Sequence, residues 1–237
     1  MDWAGYHRRI TWEEAVIARQ EAVDPSPKRF RREPGVGREL ILAAAHEEFC
    51  DRGYARATTR SIAERAGVAE ALLFRQFGSK AALFNEVVFG PLRSFMVERE
   101  KLDAEAGDEL DIEASAKAFV AGLYDLLRAN RGLMLTYFAT QVFEPDVLKE
   151  AGDVPIFLEA IGVMDRMAEK RTTANKRLDR RTKAAAKLRV HERINIGSVI
   201  AAALFDDLLF AAIPARPNRN QIVDELTRIA VVSLPTS

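Results

Sequence analysis

An all-α chain is predicted, and three observations predict it. Apolar residues recur three and four apart along most of the 237 residues. Alternating β-branched strands joined by Asn-Gly or Asp-Gly turns are absent, and Gly and Pro fall mainly between the periodic stretches. The composition, 48% apolar and 30% charged, is that of a globular chain able to bury a full core, which excludes a disordered or low-complexity protein.

The charge balance sharpens this. Lys+Arg 35 and Asp+Glu 35 cancel, so any surface suited to a polyanion must come from uneven distribution. Such unevenness exists: from Lys28 to Lys80, eleven Lys/Arg stand against seven Asp/Glu. The single cysteine, Cys50, cannot form an internal disulfide, and the N-terminus mixes Trp3, Tyr6, Arg8 and Arg9 with Glu13 and Glu14 instead of an apolar leader. The longest apolar run, 194–213, is interrupted by Asp206 and Asp207, each costing about 2.5–3.5 kcal/mol near a bilayer centre. A cytoplasmic protein with a buried helix there, and no membrane partner, is the expectation.

Taken in order, a first helix is expected over 12–22, where Thr11 and Glu14 have capping-box spacing and Asp24-Pro25-Ser26-Pro27 ends it. Lys28, Arg29, Arg31 and Arg32 surround Phe30 in a stretch closed by Pro34, Gly35 and Gly37, which reads as a basic arm. Residues 1–37 are thus an extension whose arm either enters a DNA minor groove or is a solvated linker. The next helix spans about 38–52, with Ile41, Ala45 and Phe49 stacked on one face and Gly53 placed to end it. Beyond Pro91, helices are expected near 92–106, 112–129, 132–143, 155–170, 194–213 and 219–233. Residues 170–193, dense in Lys and Arg, read as a solvated helix or connection.

The stretch from Ala57 to Lys80 carries the functional signal. It reads as helix, tight turn, helix, turn, helix. Thr58 or Thr59 caps a short helix whose buried face is Ile62, Ala63 and Ala66, and Gly67 permits the turn. In the next helix Leu73 and Phe77 lie four apart and face the core, so Ala71, Leu72, Phe74 and Arg75 point broadly outward. Large apolar groups beside an arginine suit thymine methyls and sugars in a major groove, which makes this second helix the reader. Ser79 caps the following helix; Lys80 in its first turn is expected to contact phosphate, with Thr58, Thr59 and Arg60 doing likewise at the earlier helix.

Residues 38–90 resemble the DNA-binding domain of the tetracycline-repressor (TetR) family. The resemblance rests on Phe49, Gly53-Tyr54, Thr58-Thr59, Ile62-Ala63, Ala66-Gly67-Val68, Leu73-Phe74-Arg75-Gln76-Phe77 and Ser79-Lys80-Ala81-Ala82-Leu83. It implies a helix-turn-helix domain over 38–90, a helical ligand-binding and dimerisation domain over 91–237, and a homodimer on a palindromic double-stranded operator, repressing until an effector binds. Some members of that family activate, or need ligand to bind DNA. The expected DNA-contacting set is Thr58, Thr59, Arg60, Ala69, Glu70, Ala71, Leu72, Phe74, Arg75, Gln76 and Lys80. Phe74 stands where the family usually has a phosphate-bonding tyrosine, and Gln76 where histidine is common. Glu70 either accepts from a cytosine amino group or complements the helix dipole.

For a small, fairly hydrophobic effector, the candidate lining is Phe119, Leu123, Tyr124, Met134, Tyr137, Phe138, Gln141, Phe157, Met164 and Met167, a set that plain core packing would also explain. Candidate dimer residues on the last helices are Ile200, Leu204, Phe205, Leu208, Ile222, Leu226 and Ile229, which otherwise complete the monomer core. Asp206-Asp207 is similar to the aspartate-rich start of magnesium-dependent isoprenoid synthases, but no second acidic cluster follows it. His7, His46 and His191 are scattered and only one Cys is present, so no metal site, cofactor or catalytic residue is expected.

Overall fold

The computed structural model describes residues 36–107, 111–146 and 181–232, and every regular element among them is an α-helix. In chain order these are α1 (Val36–Arg56), α2 (Thr59–Ala66), α3 (Glu70–Phe77), α4 (Lys80–Ala106), α5 (Ile112–Ala129), α6 (Arg131–Phe143), α7 (Arg181–Leu204), α8 (Asp206–Leu209) and α9 (Arg219–Val232). The expected helices over 12–22 and 155–170 and the basic arm lie outside the described residues. The chain divides into two compact units, changing at Val87 and Val88.

The first unit is built on α1. Ile41, Ala45 and Phe49, one turn apart, are fully buried. Gly53 then leaves helical geometry with φ 72 and ψ 170, a left-handed φ that a Cβ would resist. That break turns Tyr54 inward, where its ring lies 5.9 Å from Phe49 and 4.9 Å from Phe84 of α4. Below this aromatic cluster, Arg65 at the end of α2 bonds Glu47, Asp51 and the buried Glu48 of α1. Glu48 is also paired with Arg52 of its own helix at 3.1 Å, and the Arg65 bonds to three carboxylates of α1 fix α2 against it.

In the second unit α5 packs against both α7 and α9. Asp111 caps α5 by accepting from the backbone N–H groups of Glu113 and Ala114. Val120, Leu123, Tyr124 and Leu127 of α5, Val199 and Ala203 of α7, and Val223 and Leu226 of α9 are all buried. Toward α4, Gly122 allows the ring of Phe95 to come so close that a Cβ there would lie 2.6 Å from it.

Two elements differ from the sequence reading. The helix expected to begin after Pro91 instead runs unbroken from Lys80 to Ala106. Proline removes one intrahelical donor and crowds the carbonyl four residues back, but the added conflict with the preceding residue's Cβ is absent here, because that residue is Gly90. The helix expected over 194–213 starts earlier, at Arg181, and breaks at Phe205 (φ −120, ψ 23). There Asp206, buried, is held by Arg128 and Arg216, while the Arg131 Nε donates to the Leu204 carbonyl at 2.8 Å. These side chains supply the donors that the end of α7 lacks, so the chain stops there.

Candidate nucleic-acid interface

The short helices α2 and α3 owe their placement to local chemistry. Thr58 caps α2: its hydroxyl accepts from the Ser61 N–H at 3.0 Å, and its own N–H donates to the Ser61 hydroxyl at 3.1 Å. At the other end Gly67, with φ 63 and ψ 38, turns the chain left-handed, and the Val68 N–H donates to the Ala63 carbonyl at 3.0 Å. The next helix therefore departs at a sharp angle after two residues.

Leu73, fully buried, is the one buried side chain of α3. Ala69, Ala71, Phe74, Arg75 and Gln76 are exposed, and Phe74 keeps 47% of its surface in contact with water. An eight-residue helix anchored by one leucine thus presents an aromatic ring, a guanidinium and an amide on its outer side. Leu72 is half-buried: a Cβ on Gly37 at the start of α1 would lie 3.1 Å from its methyl group, so the leucine packs on α1 instead of standing clear.

The remaining predicted residues surround this helix. Thr59, half-buried, donates its hydroxyl to the Glu70 carboxylate at 2.6 Å, tying the first residues of α2 and α3 together. Arg60 is exposed and paired with Glu64 at 2.9 Å; that hydrogen bond, then the charges of Glu64 and Glu70 against slight desolvation, raise its pKa further. Lys80 is half-buried. Its ammonium donates to the carbonyls of Tyr54 and Ala57, each at 3.0 Å, and lies 4.1 Å from the centre of the Tyr54 ring. Ser79 caps α4, accepting from the Ala82 N–H at 3.0 Å.

Sequence reasoning missed two supports. The Arg38 guanidinium lies 5.1 Å above the Phe77 ring and bonds Glu86 at 2.9 Å, so α1 holds the end of α3 to α4. The Arg65 network is the other. Both join residues far apart in the chain, and no local periodicity announces such pairs.

The effector candidates separate. Tyr137 and Phe138 adjoin each other at 5.6 Å, and Tyr137 meets Phe89 edge-on at 4.8 Å. Phe119 faces Phe95 at 5.6 Å. Tyr124 lies about 140° around α5 from Phe119, among Arg128, Asp206, Asp125 and Arg219, so it belongs to a different side of the helix. Leu123 and Met134 are buried, and Gln141 is exposed. Phe157, Met164 and Met167 lie outside the described residues. Burial raises the pKa of Tyr137.

The dimer candidates separate too. Leu204, Ile222 and Leu226 are buried within the single chain, where they complete its core. Phe205, Leu208 and Ile229 remain exposed, and Ile200 is half-buried. Val190 and Ile194, which the periodicity did not single out, are 57% and 62% exposed on α7. Asp206 and Asp207 carry guanidinium groups: Arg216 bonds both, Arg128 bonds Asp206, and Arg131 lies 3.4 Å from Asp207. Among the described residues no group of three or more His, Cys, Asp or Glu could hold a metal ion, and no helix is long and apolar enough to cross a membrane.

Residues 41–87 match the sequence model of the bacterial regulatory proteins of the tetR family. The chain is 30% identical over 127 residues to the HTH-type transcriptional regulator BetI of Stenotrophomonas maltophilia, covering 52% of this chain and 64% of the relative. It is 31% identical over 125 residues to the HTH-type transcriptional activator FasR of Mycolicibacterium smegmatis, covering 52% and 54%. The matched regions thus span less than two thirds of either relative. The fold is similar to that of the transcriptional regulator FadR from Bacillus subtilis, solved in complex with stearoyl-CoA, with a TM-score of 0.58 at 14% identity over 84% of this chain and 100% of that one.

Proposed function

We propose that this chain, whose residues 41–87 match the tetR family of bacterial regulatory proteins, is a transcriptional regulator of that family, not an enzyme, which binds a palindromic operator as a cytoplasmic homodimer and responds to a small apolar effector. The observation that carries the reading is the outer side of α3. Phe74, Arg75 and Gln76 stand exposed on a helix fixed by Leu73, a turn at Gly67 and the Thr59–Glu70 bond. A half-exposed phenylalanine beside a guanidinium is poorly matched to water alone. In a major groove the ring meets thymine methyls and sugars, while Arg75 and Gln76 reach guanine or adenine edges.

Exposed apolar residues support the dimer. Val190 and Ile194 lie one turn apart on α7, Phe205 and Leu208 follow beyond its end, and a Cβ on Gly197 between them would meet nothing within 4 Å. A second copy placed there buries these groups, and a dimer on a palindrome needs its two α3 helices about 34–36 Å apart, the spacing of successive major grooves. Two groups of rings, Phe89 with Tyr137 and Phe138, and Phe95 with Phe119, support an apolar effector. In this reading the regulator is a repressor, and by differential binding the effector would favour a form of the protein with lower operator affinity and so release it.

The test is selection of bound fragments from random duplex DNA by the full chain, then titration of the selected duplex against a scrambled one. Binding at least about a thousandfold tighter to the selected duplex is expected at physiological salt. No preference for any duplex, with or without effectors, would overturn the assignment. Acyl-CoA thioesters are the first effectors to screen, given the ligand of the structurally similar FadR. Substituting Ile194→Glu should yield monomers in sedimentation velocity; an unchanged dimer would remove α7 from the interface.

A further inference from the structure

We propose that Glu70 selects a cytosine in each half of the operator, its carboxylate accepting from the amino group of that base while Thr59 holds the carboxylate in place. The inference rests on the DNA-binding reading above and names one base that the beginning of α3 reads.

Glu70 is the first residue of α3, at the end of a reading helix that meets base edges. A carboxylate there has a simpler use, which is to accept from the unsatisfied N–H groups of its own helix. It bonds elsewhere. No side chain caps α3 at Ala69, and the Glu70 Oε1 accepts from the Thr59 hydroxyl of α2 at 2.6 Å. Among the described residues no donor reaches the other oxygen, Oε2. Half-buried and tied at one oxygen, the side chain has a fixed direction and a second acceptor to offer.

An ionised carboxylate carries acceptors only, so it binds a base only through a donor. In the major groove guanine and thymine offer it acceptors, while adenine and cytosine each present an amino group. The adenine amino group lies between two acceptors, its own N7 and the thymine O4, and both repel a carboxylate. The cytosine amino group has an acceptor on one side alone, the guanine O6. Cytosine is therefore the base that suits Glu70. At any other base the carboxylate meets repulsion, so the residue discriminates by what it rejects as much as by what it binds. Arg60, exposed and close enough for the Glu70 charge to act on it, offsets part of the repulsion from DNA phosphates.

Selection from random duplex DNA by the full chain should place a cytosine at one position of each half-site. Full-length Glu70→Gln should change that position to adenine and leave the others as they are, because an amide holds a donor as well as an acceptor and matches adenine N7 and N6 together. In titrations of the wild type, replacing that C·G pair by T·A should weaken binding about 5- to 150-fold, and Glu70→Ala should bring the ratio close to one. Thr59→Val, which keeps the shape and loses the hydroxyl, should lower the same ratio, and Thr59→Ser should restore it. A change confined to one base pair is one that a merely structural threonine would not produce.

Identical bases selected by the wild type and Glu70→Gln would overturn the proposal. So would Glu70→Ala with a lower melting temperature and an unaltered preference, since the carboxylate would then serve the helix alone. Should the variants not fold, the wild type decides on a modified duplex. N4-methylcytosine keeps the base pair but puts a methyl in place of the outward amino hydrogen; at the selected position it should cost a similar factor, and no loss at any half-site cytosine would overturn the proposal. A wild type that prefers no duplex removes the DNA-binding reading and this proposal with it, whereas a preferred duplex indifferent to Glu70 removes this proposal alone.

Discussion

Leu73 and Phe74 are neighbours on α3 with opposite tasks, and substituting each by alanine should separate holding the helix from reading DNA. Leu73 is fully buried, so Leu73→Ala removes three carbons from a packed site. At about 0.8 kcal/mol per buried carbon the transfer loss is about 2.4 kcal/mol. The cavity left behind brings the cost to roughly 3–4 kcal/mol, within the range known for buried Leu→Ala changes. For a domain of this size each kcal/mol moves Tm by about 4–8 °C, so the unit should melt on the order of 15 °C lower. Phe74 is 47% exposed and half its ring already faces water, so Phe74→Ala should cost only about 1 kcal/mol of stability. Its effect belongs to recognition: losing an apolar base contact should lower discrimination by about 1–3 kcal/mol, or roughly 5- to 150-fold. Thermal melts followed by circular dichroism, paired with titration of selected and scrambled duplexes, read both quantities. A Phe74→Ala melt as depressed as that of Leu73→Ala, or a Phe74→Ala protein with undiminished discrimination, would refute the division.

Three further outcomes follow from the geometry. Thr58→Ala removes the cap of an eight-residue helix and should destabilise the first unit by about 1 kcal/mol, while Thr58→Ser, which keeps the acceptor, should not; equal melts for the two would show that the cap contributes nothing. Gly122→Ala gains about 1 kcal/mol of helix propensity, but its Cβ would lie 2.6 Å from the Phe95 ring; the overpacking cost of about 1–3 kcal/mol should prevail in a urea titration, and a stabilised variant would mean the ring yields freely. Burial holds the Tyr137 phenol above its ordinary value, so its contribution is complete below about pH 10 and is lost as pH rises and the unfolded chain ionises first. The wild type should therefore lose stability more steeply above about pH 10 than Tyr137→Phe, and parallel curves would contradict the burial argument.

What could be read from the sequence was whatever depends on neighbours within a few residues. The Thr58 cap, the left-handed Gly67 and the buried Leu73 are consequences of spacing and of φ preferences, and each stands in the structure as the spacing predicts. What could not be read depends on partners far along the chain. Pro91 reads as a helix boundary because the rule for proline is local, yet Gly90 before it removes the Cβ part of the clash and α4 continues. Leu204, Ile222 and Leu226 show the right periodicity for an interface, but periodicity marks an apolar face without saying which surface covers it, and the chain's own core takes them. The helical angle alone points Leu72 outward, whereas the start of α1 lies close beside it.

Lys80 shows why the same limit matters for function. Charge and position beside a helix start are legible, but the direction of a four-carbon side chain is decided by which acceptors the fold leaves unsatisfied. Gly53 creates two such carbonyls, and the nearby lysine answers them. Arg60 is tied to Glu64, and Glu70 contributes negative charge at the beginning of α3, so net attraction at this face is weaker than its surplus of Lys and Arg suggests. A domain built in that way relies on the fit of α3 more than on bulk charge. Its scrambled-duplex binding should accordingly show a shallow salt dependence, and a slope corresponding to six or more phosphate contacts per protomer would require basic groups beyond those placed here.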